Sequence, residues 1–96
     1  MEEMQPYKPS LDVETDESTT TTFLSSVIVY NDDWHTFDEV IMQLIKATNC
    51  AFEKARAQAF EIHVKGYSVV YNGKMNTCLK VSSILEEIAL RTQIVT

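Results

Sequence analysis

Asn31, Asp32, Asp33, His35 and His63 are the residues of this chain whose types and grouping could carry chemistry. Two adjacent carboxylates with a histidine close behind could hold a metal ion or work as an acid/base pair. Each group also has a plainer reading. Asn and Asp between a strand and a helix ordinarily bond the nearby backbone. A histidine beside an apolar helix face is ordinarily a hydrogen-bonded core residue. Asp38 and Glu39, in the first turn of a helix, need only the helix dipole to explain them. No nucleophile stands out either. Cys50 and Cys78 lack a basic neighbour that would lower their pKa, and Ser82-Ser83 falls within a helical pattern.

These groups sit on elements that the pattern defines. Ser26-Val27-Ile28-Val29-Tyr30 is β-branched and aromatic-ended and reads as a strand, stopped by Asn31-Asp32-Asp33. Thr36 with Glu39 three residues on forms a capping box, and Phe37, Val40, Ile41, Leu44, Ile45 and Thr48 then recur at helical spacing. An alanine-rich second helix is expected from about Asn49 to Val64, with Phe52, Ala55, Ala59 and Ile62 facing inward and His63 beside them. Gly66 fits its C-terminal stop. Tyr67 to Tyr71 reads as the second strand, Asn72-Gly73 as a turn, residues 75–90 as the third helix and Thr92 to Thr96 as the last strand. Cys78, Val81, Leu85 and Ile88 would face inward from that third helix. The order β-α-α-β-α-β predicts an α+β fold, a small three-stranded sheet with three helices on one face.

Composition narrows the function. The 96 residues are 45% hydrophobic and 23% charged, with a net charge of -6. Residues 1–26 hold six acids against Lys8 alone, both prolines and the run Ser18 to Thr22; residues 27–96 hold eight acids and seven bases. The first segment therefore reads as a disordered arm and the second as one folded domain. No basic stripe exists for a nucleic acid, and no apolar run approaches the ~20 residues of a membrane span. Two isolated cysteines and no signal-peptide pattern point to a reducing cytoplasm. Neither a cofactor nor a metal site is expected.

Val29-Tyr30-Asn31-Asp32-Asp33, followed by Trp34 and an amphipathic helix, with His63 thirty-two residues after Asn31, resembles the signature of the ClpS adaptor family over about residues 26–96. The resemblance implies the same β-α-α-β-α-β fold and a non-enzymatic adaptor. Such adaptors bind proteins bearing a free, bulky hydrophobic N-terminal residue and deliver them to a Clp AAA+ unfoldase, either ClpA-like or ClpC-like, through its N-terminal domain. Asn31, Asp32 and His63 match the residues that meet the substrate's α-amine. Phe37, Val40, Ala59 and Ile62 match those lining the side-chain pocket, and Lys80 matches an unfoldase contact. The arm would engage the unfoldase pore. This chain departs from the family where Phe37 and Ala59 replace common methionines, and where Met75 replaces an acidic residue. Two other readings compete. One is an interaction module like the C-terminal domain of the ribosomal stalk protein, and the other a small metal-dependent hydrolase using Asp32, Asp33, His35 and His63.

Overall fold

Alternation along the first strand sets the architecture. In the computed structural model, which describes residues 24–96, β1 spans Ser25–Tyr30 and buries every second residue, Ser25, Val27 and Val29. That is the period of a sheet with one covered face. β1 lies in the middle of an antiparallel sheet ordered β2-β1-β3, with β2 at Tyr67–Gly73 and β3 at Arg91–Val95. Helices α1 (Phe37–Thr48), α2 (Phe52–Lys65) and α3 (Met75–Leu85) cover the face that carries Val27, Val29 and Val70. The opposite face keeps Tyr67 and Val69 about half exposed. The expected α+β order and one-sided layering are therefore present. The folded domain begins at least two residues earlier than residue 27, because Ser25 and Ser26 already pair with Gly73 and Asn72. The disordered arm expected at the N-terminus otherwise lies outside the described residues.

Local chemistry explains the helix ends. Thr36 Oγ1 accepts from the Glu39 N–H at 3.1 Å, and Glu39 Oε1 accepts from the Thr36 N–H at 2.8 Å. This reciprocal pair satisfies two donors that a helix start leaves orphaned. Asn49 ends α1 in the left-handed region at φ 56°, a conformation that asparagine tolerates better than most residues. Gly66 ends α2 at φ 93°, where a side chain would be strained. Its carbonyl accepts from the Asn31 N–H at 2.9 Å, which ties the end of α2 to the turn leaving β1.

Three expectations are corrected. α2 starts at Phe52, three residues later than its alanine content suggests, and Phe52 is 53% exposed rather than inward. Asn72-Gly73 belongs to the end of β2 and not to a turn. Opposite Val27 the register shifts, so Val70 and Tyr71 both turn toward the core in a β-bulge. α3 stops at Leu85, and a 3-10 turn at Glu86–Ile88 follows, closed by Ala89 at φ 61°. Cys78, Val81 and Leu85 are buried as expected, with Ile88 packed partly against them.

Candidate functional site

The tie between Asn31 and Gly66 brings the β1 exit turn against the last turn of α2. Between them and the start of α1 lies a cavity of about 270 Å³. Phe37 and Val40 on α1 form one apolar wall, and Ala59 and Ile62 on α2 form the facing one. Asn31, His35, Thr36 and His63 supply its polar lining. The space is smaller than the roughly 300–1,000 Å³ of a drug- or cofactor-sized site. It suits one side chain with a polar group at its base. Helical spacing accounts for the α1 and α2 walls. Residues 37 and 40 share a face, as do 59, 62 and 63.

Six of the seven residues expected at the amine and side-chain positions thus line one cavity: Asn31, Phe37, Val40, Ala59, Ile62 and His63. Asp32 does not. Its Oδ1 accepts from the Trp34 and His35 N–H groups at 3.1 and 2.9 Å, and its Oδ2 lies 2.5 Å from His35 Nδ1. Asp33 is exposed and its carboxylate bonds nothing among the described residues. Lys80 lies exposed on α3, away from the cavity. His35 and Thr36 also line the cavity, although the family resemblance assigns them no role there. For His35 the available signal is the Asp32–His35 spacing, which by itself suggests a metal site or an acid/base pair. Among the described residues no group of three His, Cys, Asp or Glu could hold a metal.

Burial alone would raise the Asp32 carboxyl. The bonds from the His35 N–H, the His35 ring and the Trp34 N–H, with the ring's charge, outweigh it and hold its pKa below the ordinary 3.8. Burial likewise pulls the His35 ring down, but the bonds to Asp32 and to the Ile88 carbonyl, with the charges of Asp32 and Glu39, lift it above 6.5. The two shifts act in opposite pH directions. A raised histidine stabilises fully below 6.5, and its contribution is lost as pH rises through the folded value. A lowered carboxyl stabilises above 3.8, and its contribution is lost as pH falls through its folded value. The denaturant midpoint should therefore decline as pH climbs from 6.5 through the His35 folded pKa, and His35→Gln should remove that slope. A wild-type midpoint level across that window would mean that the pair contributes nothing to folding.

Fold and site together define a small α+β domain with a cavity lined by both apolar and polar side chains. The family model described as ATP-dependent Clp protease adaptor protein ClpS matches residues 20–93, and the chain belongs to that family. Membership selects the adaptor class over the stalk-like module and the metal hydrolase. Among solved structures, Agrobacterium tumefaciens ClpS2 bound to L-phenylalaninamide shares the fold with a TM-score of 0.70 at 17% identity. The match covers 74% of this chain and 93% of that one. A search of curated protein sequences found no match. Among the described residues no helix is long and apolar enough to cross a membrane.

Proposed function

We propose that this chain captures proteins by a free N-terminal residue with a bulky hydrophobic side chain and delivers them to a Clp unfoldase, without catalysis of its own. The observation that carries the reading is the placement of Asn31 and His63 on the same cavity as Phe37, Val40, Ala59 and Ile62. Amine acceptors and an apolar socket then lie within the span of a single residue. The related ClpS2 is bound to L-phenylalaninamide, a free amine joined to an aromatic side chain. An α-amino group has a pKa of about 8 and is mostly a cation at neutral pH. The ammonium donates to Asn31 Oδ1 and to the lone pair of a neutral His63 ring. Hydrogen bonds to a charged group contribute roughly 1.5–3 kcal/mol each, and burying a Leu or Phe side chain adds roughly 1.5–3. Together, less the entropy of association, these support affinity near micromolar, about -8 kcal/mol. Asp32 is not a cavity wall, and its charge reaches the ammonium only where the His35 ring leaves it uncompensated. Lys80 on the outer side of α3 is free to meet the N-terminal domain of a ClpA-like or ClpC-like unfoldase, in the cytoplasm.

Fluorescence anisotropy against peptides that differ only in their first residue tests this reading. Phe, Tyr, Trp and Leu should bind, and Asp or Glu at the first position should not. Equal affinity for all of them would sink it. The wall at position 59 sharpens the test. Ala59 lines the cavity, and a longer methionine side chain there would take up part of its space. Ala59→Met should penalise aromatic first residues more than Leu, by the roughly 1–3 kcal/mol typical of overpacking. An unchanged ranking would remove residue 59 from the pocket.

A further inference from the structure

His35 has both ring nitrogens engaged at the edge of the cavity. Nδ1 lies 2.5 Å from Asp32 Oδ2, and Nε2 lies 2.5 Å from the Ile88 carbonyl oxygen. A carboxylate and a carbonyl oxygen can only accept. A neutral imidazole has one N–H and can serve only one of them, so the arrangement calls for the doubly protonated ring. The side chain is 3% exposed, which leaves the second nitrogen little access to bulk water. The indole of Trp34 stacks against the ring with centroids 3.9 Å apart, a neighbour that also favours a cation.

The surrounding charges are few. From its own turn His35 faces Asp32, with Asp33 exposed alongside. Glu39 on α1 adds attraction from a distance, and Asp38 sits in the same helical turn. His63 on α2 lines the same cavity. The turn after α3 presents only the Ile88 carbonyl. Glu86 there is engaged by Thr92 and Ser82, and Glu87 by Lys46 and Gln43.

We propose that His35 is a positioning residue that makes N-terminal capture pH-dependent. As a cation it cancels the charge of the Asp32 carboxylate, which the ring and the Trp34 and His35 N–H groups together turn away from the cavity; on losing a proton it leaves that charge to an incoming α-ammonium group. The proposal rests on the amine-capture reading and adds its regulation. With the ring protonated, the ammonium meets only the neutral acceptors of Asn31 and His63. With the ring neutral, Nδ1 or Nε2 must present a lone pair to an oxygen. One bond fails, and Asp32 carries an uncompensated negative charge beside the cavity. Ammonium binding and His35 protonation therefore oppose one another, and linkage makes the opposition reciprocal. Loss of the His35 proton raises affinity as pH climbs, and deprotonation of the α-amine, with a pKa of about 8, opposes that rise. Only a His35 variant isolates the contribution of this ring from that of the other groups on the cavity.

The test uses the full chain with isotope-labelled histidine rings and a Phe-initiated peptide. By NMR the free protein should show both nitrogens of His35 protonated at neutral pH. Saturating peptide should lower the His35 titration midpoint, and the N-acetylated peptide should leave it in place. Each unit of lowering corresponds to about a tenfold gain in affinity across the titration. Anisotropy with His35→Gln should then show a smaller rise with pH than the wild type. A singly protonated His35 ring at neutral pH, or a midpoint unmoved by a peptide that binds, overturns the proposal. Failure of the peptide to bind at any pH overturns the capture reading and the proposal with it, and the affinity measurement alone identifies that case.

Discussion

Acetylating the α-amine of a Phe-initiated peptide is expected to lower its affinity by two or more orders of magnitude, even though the side chain that enters the cavity is unchanged. The modification removes the positive charge, leaves a single amide N–H where the ammonium had three donors, and adds bulk beside Asn31 and His63. Losing two hydrogen bonds to a charged group costs roughly 3–6 kcal/mol at 1.5–3 kcal/mol each. Against a total near -8 kcal/mol for micromolar binding, that leaves an interaction too weak to retain substrate. The apolar walls of Phe37, Val40, Ala59 and Ile62 cannot compensate, because the side chain was already seated before the change. Asn31→Ala should reproduce part of the loss, roughly 1.5–3 kcal/mol, with the fold intact by circular dichroism. Titrations of free and acetylated peptides that superimpose would show that the cavity reads the side chain alone.

A second large effect concerns the scaffold. Leu44→Ala should destabilise the domain by about 2–5 kcal/mol, read from the denaturant midpoint at constant slope. Leu44 is fully buried on α1, one turn beyond the cavity wall at Val40, in the cluster that includes Val27, Val29 and Leu85. Small domains retain only about 5–15 kcal/mol in total, so this single truncation removes a large share. Met42, two residues away on the same helix, is 62% exposed and serves as the control. Met42→Ala should stay within about 0.5 kcal/mol of wild type. A Leu44→Ala protein as stable as that control would mean that α1 is not held by this core, and the placement of Phe37 and Val40 would lose its support.

Much of the fold is legible in the residues themselves because it rests on short-range physics. The capping box needs only Thr36 and Glu39 three residues apart, and the stop at Asn49 only a residue that accepts positive φ. The burial of Val27 and Val29 follows from a two-residue period, and that of Val40, Ile41 and Leu44 from a helical one. The family resemblance pairs Asn31 with His63, although they lie far apart in sequence. Their meeting on one cavity depends on the Asn31 N–H reaching the carbonyl of Gly66, a contact that no local pattern contains.

The remaining features depend on partners distant in the chain. Alanines favour helix at any of positions 49–52, so propensity cannot set the start of α2 or show that Phe52 faces solvent. The bulge at Val70 and Tyr71 exists only against Val27 of the neighbouring strand. Asp32 carries the same charge in the sequence as in the fold. Its direction is set by the Trp34 and His35 N–H groups together with the His35 ring, and that ring is oriented in turn by a carbonyl 53 residues further on. The sequence thus determined which residues could serve the site, because residue type and local spacing are properties of the chain itself. Only the tertiary structure decided which of them face the cavity, because a buried hydrogen bond is directed by whichever partner the packing brings within reach.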